Sequence, residues 1–241
     1  MKRTGKAELC FLGQSGFILT GGDRKIVIDP YLSDCVGKIN PLFKRAYPVP
    51  LSPEKLDADI FIVTHDHLDH LDPETVEAYP AKDTTYFVAP RMAAKKLAEL
   101  SVPQEKIVVV DQGGSAEING VVIEGIFALA TGPDVLDTTG YKITMPGGQS
   151  CYHTSDTAFC DLLLQACPKA DVLLPCINGK FGNLNIEQAV KLTKAVKPRF
   201  VIPHHYDVMA CNSENPEAFR YFCADSAECG ILNVLEKFTW E

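Results

Sequence analysis

A short apolar segment running into a cluster of histidines constrains this chain more than any other feature. Ala58-Asp59-Ile60-Phe61-Ile62-Val63 is rich in β-branched residues and reads as a buried strand. Directly after it comes Thr64-His65-Asp66-His67-Leu68-Asp69-His70. The chain has six histidines, and three of them fall in this one run. In an extended or tightly turning segment, residues i and i+2 point to the same side, so His65 and His67 can reach one metal ion together. If the chain then enters a helix, Asp69 and His70 swing to an adjacent position and can hold a second ion. Imidazole suits zinc, iron, nickel and manganese, while carboxylates favour harder ions. A lone histidine is more often a satisfied core residue or part of a surface loop; four donors at this spacing are not. Asp72-Pro73-Glu74 then supplies an N-cap and a proline at the first helical position. The cluster therefore lies on a strand-to-helix turn, where α/β proteins gather their ligands.

The same pattern recurs along the chain. Lys25-Ile26-Val27-Ile28 ends at Asp29-Pro30, and Ser150-Cys151-Tyr152 ends at His153, with Asp156 close behind. Asp171-Val172-Leu173-Leu174-Pro175 leads to Asn178-Gly179, and Arg199-Phe200-Val201-Ile202-Pro203 ends at His204-His205. Polar or ligating residues at five strand exits imply one rim shared by two sheets. Strands are expected at 7–12, 16–20, 25–29, 59–64, 85–88, 107–110, 121–128, 140–145, 149–152, 171–175 and 199–203. Helices are expected at 73–79, 90–100, 157–167, 186–196 and 215–223. Asn185 with Gln188 resembles a capping box opening the helix at 186–196. Its residues Ile186, Ala189, Val190 and Val196 form an apolar stripe suited to core packing.

Composition narrows the function classes. With 241 residues, 46% hydrophobic and 22% charged, the chain can bury a full core, and a single domain over 1–241 is expected. The net charge of −8 counts against nucleic acid, whose binders usually carry a basic face. No apolar run reaches the ~18 residues of a membrane helix, and the short basic start lacks the apolar stretch of a secretory signal. Nine cysteines without a CxxC pair suit a reducing cytoplasm and argue against a thiolate zinc site.

Taken together, THDHLDH, the upstream IDP, the downstream YHxxD and the final IPxH, in this order, resemble the metallo-β-lactamase superfamily. FLGQSGFIL, VIDPYLSD, LDADIFIVTHDHLDHLDPETV, CYHTSDT, KAVKPRFVIPHHYD and LEKFTW are similar, more narrowly, to the L-ascorbate-6-phosphate lactonase family. The resemblance implies an α/β fold, an αββα four-layer sandwich of two mixed sheets flanked by helices. It also implies two divalent metal ions per chain, Mn2+ or Zn2+, manganese in the best-known branch. By the same resemblance His65, His67 and His153 would hold one ion, Asp69, His70 and His205 the other, and Asp156 would bridge them. Asp156 and Asp69 would be the catalytic carboxylates. Asp29, Asp66 and His204 would stand behind the ligands, Asp29 orienting an imidazole. Homo-oligomerisation fits the resemblance too. The chain departs from the pattern at Ser155, where a glycine usually precedes the bridging aspartate, and at Gln14, where many relatives carry His or Cys. It is also shorter than the enteric lactonases.

Two loops are candidates for substrate contact. The segment at 32–53 has no clear period, holds Lys38, Lys44 and Arg45, and is long enough to form a lid or binding loop; Arg45 is a candidate phosphate contact. The segment at 176–184 offers Asn178, Lys180 and Asn183 to an anionic ligand. Two ions sharing a water lower its pKa and present hydroxide at neutral pH. The expected activity is therefore a metal-dependent hydrolase opening a small anionic substrate, a phosphorylated sugar-acid lactone. A phosphodiesterase or ribonuclease of the same fold is the alternative, and a non-catalytic metal-binding scaffold the third reading.

Overall fold

The computed structural model describes residues 5–241; the basic start at Lys2 and Arg3 lies outside them. Among the described residues, fourteen strands form two sheets of 7. The first sheet takes β1 (Ala7–Gly13), β2 (Gly16–Gly21), β3 (Arg24–Ile28), β4 (Ile60–Ile62), β5 (Tyr86–Ala89) and β6 (Ile107–Val109). The second takes β7 (Ser115–Ile118), β8 (Val121–Ile126), β9 (Gly140–Thr144), β10 (Ser150–His153), β11 (Val172–Leu174), β12 (Phe200–Val201) and β13 (Glu228–Cys229). The last strand, β14 (Lys237–Trp240), returns to the first sheet and pairs antiparallel with β1. Each sheet is antiparallel on one side and parallel on the other. The parallel runs are β3-β4-β5-β6 and β10-β11-β12-β13.

Strand alternation explains the layers. Ile26, Ile28, Ile60, Ile62 and Val88 meet Ile123, Tyr141, Ile143, Cys151 and Leu174 in one core between the sheets. The alternate residues Val27, Phe61, Val63, Phe87 and Ala89 face the other way. They pack against Val76 of α2 (Pro73–Ala78) and Ala93 and Leu97 of α3 (Arg91–Glu99), which follow α1 (Cys35–Ile39) in the chain. Burial on both faces is why these short strands read as unbroken apolar runs. The second sheet is covered by α4 (Asp161–Ala166), α5 (Ile186–Val196) and α6 (Pro216–Cys223), whose Leu163, Leu192, Val196 and Phe219 join the central core. The result is an αββα sandwich. Among the described residues no helix is long and apolar enough to cross a membrane.

Several boundaries differ from the sequence reading. The helix expected at 157–167 starts at Asp161, because Thr157 and Ala158 are tied sideways instead. Leu129 N donates to Thr157 Oγ1, Ala158 N donates to the Leu129 carbonyl, and Leu184 N donates to the Thr157 carbonyl. β7, β13 and β14 differ from expectation because they are short: β7 and β14 alternate polar and apolar residues over only four positions, and β13 has two. The segment at 32–53 holds α1 and short 3-10 turns rather than an irregular loop. The capping box opens α5, with Asn185 accepting from Gln188 N and Gln188 accepting from Asn185 N.

Candidate metal centre

The rim is built where parallel strands end. β4 delivers Thr64 and the histidine run beside Asp29, which directly follows β3. Asp29 sits at φ 41° and is fully buried. Its Oδ1 accepts from Thr64 N at 2.8 Å and its Oδ2 from Thr64 Oγ1 at 2.6 Å. The same Oδ2 lies 2.7 Å from His70 Nδ1. An Nδ1–H donated to this carboxylate leaves the His70 Nε2 lone pair free, and a carboxylate behind a ligating imidazole also raises its basicity. His70 Nε2 is buried without a hydrogen-bond partner, as is Asp156 Oδ1.

These two atoms aim at each other across 3.5 Å, and Asp69 Oδ2 lies 3.9 Å from His70 Nε2. His205 completes the group, its Nε2 3.3 Å from Asp156 Oδ2 and 3.5 Å from Asp69 Oδ2. Asp69, His70 and His205 each present a donor within 4.8 Å of one another, and so do His65, His70 and Asp156. His67 joins from the side, with His65 Nε2 3.0 Å from His67 Nδ1. Buried polar atoms without partners require an explanation, and here they converge with carboxylates of opposite charge preference. The nitrogen and oxygen donors, free of thiolate, fit a manganese or zinc ion.

Electrostatics follow from this packing. Burial alone would lower the His70 pKa, but Asp156, Asp69 and Asp29 hold it well above the ordinary imidazole value. Burial would raise Asp156, but His205 and His70 hold it well below the usual carboxylate range. For His65, burial and the neighbouring His70 outweigh the pull of Asp156 and lower its pKa well below normal.

The structure does not bring every expected residue to this point. The resemblance places His153 with His65 and His67. Instead His153 Nδ1 accepts from Ser155 N at 3.1 Å and Nε2 lies 3.0 Å from the Ser15 carbonyl. Both ring nitrogens are used by the backbone, and the ring stacks on His204 at 4.3 Å. Ser155 at φ 61° turns its amide towards the ring. His204 Nδ1 in turn lies 2.9 Å from Ser15 Oγ. His205 at φ 69° reverses the chain, so His204 points inward under the rim and His205 into the donor group. Asp66 turns out to Lys96 on α3 at 2.7 Å. Asn183 donates from Nδ2 to Asp156 Oδ2 at 2.6 Å, whereas Asn178 donates to Asn212 Oδ1. Lys180 is exposed. Arg45 is buried, its guanidinium on the Tyr31 carbonyl at 2.9 Å and between the Tyr31 and Tyr47 rings.

Three neighbours make contacts at the centre that the sequence does not show. Gln14, at φ 55°, donates from Nε2 to Asp69 Oδ2 at 2.7 Å and lies over the His205 ring. Thr64 bridges Asp29 to the histidines. Asp134 Oδ2 lies 3.2 Å from His67 Nε2, which leaves His67 Nδ1 facing His65. Thr64 opens the THDHLDH run and Gln14 lies in FLGQSGFIL, but neither motif reveals these contacts, and Asp134 lies in the loop before β9, outside any motif. Gln14, Asp29, Ser155 and His205 all hold a left-handed backbone, a strained conformation that concentrates at functional sites.

A cavity of about 580 Å³ opens onto His67, Asp69 and Asp156. Its walls include Val36 and Phe43 from the 32–53 segment, with Leu68, Phe181 and Met209.

Comparison with known proteins agrees with this geometry. A family model described as a beta-lactamase superfamily domain matches residues 8–205. A UPF0173 metal-dependent hydrolase of Methanosarcina mazei is 30% identical over 224 residues, covering 88% of this chain and 89% of the relative. A UPF0173 metal-dependent hydrolase of Saccharolobus solfataricus is 34% identical over 205 residues, covering 83% of this chain and 85% of the relative. The solved structure of Igni18, described as a metallo hydrolase from Ignicoccus hospitalis, superposes with a TM-score of 0.76 at 25% identity, over 98% of this chain and 99% of that one.

Proposed function

The chain belongs to the beta-lactamase superfamily and, within it, to the UPF0173 metal-dependent hydrolases; from that premise we propose that it hydrolyses a carboxylic ester or lactone with the help of two divalent ions, manganese or zinc. The observation that carries this reading is the convergence of His70 Nε2, His205 Nε2, Asp69 and Asp156 on one buried point. Asp69, His70, His205 and Asp156 would hold one ion; His65, His67 and Asp156 would hold the other. Divalent ions at such donors lower the pKa of a coordinated water and polarise a carbonyl oxygen.

The protein's own groups do the rest. Asp29 and Thr64 fix the His70 tautomer, and Asp134 fixes that of His67. Gln14 and Asn183 each donate to a carboxylate oxygen, so Asp69 and Asp156 keep one orientation before substrate arrives. His70 and His205 keep Asp156 ionised, so its carboxylate would accept a hydrogen bond from the attacking water and orient it. The lactone follows from the resemblance to L-ascorbate-6-phosphate lactonases. The phosphate is less well served, since Arg45 and Lys180 stand away from the cavity.

The test is hydrolysis of L-ascorbate 6-phosphate and of unphosphorylated lactones by protein reconstituted with manganese or zinc, beside His70→Ala. Turnover with about two ions per chain in the wild type, and loss of both rate and bound metal in the variant, is the expected result. A His70→Ala protein with unchanged metal content and rate would remove the basis of the reading.

A further inference from the structure

Phe43 and Phe181 come from loops far apart in the chain, yet their rings meet at 5.5 Å over the cavity. Phe181 is 60% exposed and held at φ 52°, a conformation that costs a bulky residue of its type. The turn carrying it is pinned, with Asn183 N on the Lys180 carbonyl and Gly179 N on the Leu184 carbonyl. Beside this pair stand Val36, Leu68 and Met209. Leu42, next to Phe43 in the chain, is 72% exposed. Clustered exposed apolar residues beside a reactive centre mark a binding surface.

The charges around the cavity are equally one-sided. Its charged lining residues are Asp69, Asp134 and Asp156, and none of the described lining residues is Lys or Arg. Lys44 and Lys180, sequence neighbours of the two phenylalanines, are exposed and stand outside the lining. Lys38 is engaged by Glu74 at 2.6 Å. A phosphate or carboxylate placed away from the donor group would lose water and find no cation in exchange.

We propose that the cavity binds an uncharged hydrocarbon acyl group, so that the substrate is an ester or lactone with an apolar chain. This rests on the hydrolase reading above. The reaction adds one water across the acyl carbon–alkoxy oxygen bond. That bond breaks, the acid keeps the water's oxygen, and the alcohol leaves with a proton.

The experiment uses the metal-loaded protein and three esters with one leaving group: p-nitrophenyl butanoate, its octanoate and its hemisuccinate. The hemisuccinate matches the butanoate in length but ends in a carboxylate. Octanoate should exceed butanoate in kcat/KM by about tenfold or more, given a few-fold per buried methylene. Butanoate should exceed hemisuccinate by a similar factor. A second readout needs no turnover: calorimetry should show octanohydroxamate binding about tenfold more tightly than acetohydroxamate. Phe181→Ala and Phe43→Ala should shrink both chain-length ratios. Preference for the hemisuccinate, or equal or absent binding of the two hydroxamates, overturns the proposal. Chain-dependent hydroxamate binding without hydrolysis of any ester leaves the apolar site standing and removes the hydrolase reading instead.

Discussion

Histidine 153 shows how two residues of the same type, in the same kind of place, can do different work. His70 lies in the turn beyond β4 and His153 is the last residue of β10, and both are fully buried. His70 gives one nitrogen to the Asp29 carboxylate and keeps the other free. His153 gives both to the backbone, and burial holds its pKa below the ordinary value, so it stays a neutral structural group. His153→Ala should therefore leave the metal content at the wild-type level. It should also destabilise the fold by about 3 kcal/mol, through the cavity and the stranded Ser155 amide and Ser15 carbonyl. Loss of bound metal in this variant, measured by elemental analysis after dialysis, would return His153 to the ligand set. The sequence placed His65, His67, Asp69 and His70 at one turn without help, because a spacing of one or two residues fixes which side chains are neighbours. It had no means to show which nitrogen of His153 meets a backbone group brought from the turn between β1 and β2.

At the level of single elements, α5 is the clearest case of local chemistry deciding a boundary. Its capping box starts it at Ile186 and its buried stripe of Ala189, Val190, Leu192 and Val196 seats it on the second sheet. It ends at Lys197, an exposed residue in the left-handed region at φ 54°. Glycine adopts that angle without a Cβ penalty. Lys197→Gly should raise stability by about 1 kcal/mol and Tm by ~2–4 °C for a chain of this length. A fall in Tm on thermal denaturation would show that the lysine side chain contributes more than the backbone relief. α4 behaves differently. Its helical pattern begins at Thr157, but hydrogen bonds to Leu129 and Leu184 hold that first stretch extended. Those partners come from two distant loops, so no local propensity could reveal them.

For the whole molecule, packing puts four of the nine cysteines out of reach, Cys151 and Cys176 among them in the central core. All nine are free thiols. Burial raises Cys151 and Cys176 from 9.0 to about 12. Both should resist iodoacetamide at pH 8 in the native protein and react once it is unfolded, which mass spectrometry of the alkylated peptides would detect. Alkylation of either in native protein would contradict the packing. The sign of the pH effect follows. A folded pKa above the unfolded value contributes stability that is complete below pH 9.0 and lost as pH rises towards about 12. Alkaline titration should thus lower Tm progressively above that point.

The sequence by itself determined the α/β class and the strand-to-helix turn that carries the histidine run. These depend on period and spacing, which are local properties of a chain. It also located Asp29, Asp156 and His205 at strand exits, because buried parallel strands announce their ends. Only the tertiary structure decided how those exits meet. The left-handed turns at Ser155 and His205 choose which of two histidines faces the donor group, and neither angle is written in the residue types. Gln14, Asp134 and Asn183 reach the centre from separate loops, and Arg45, which looked like an anion contact, is consumed by Tyr31 and Tyr47. Contacts between residues far apart in the chain depend on how two whole sheets stack, and that information exists only once the core has formed.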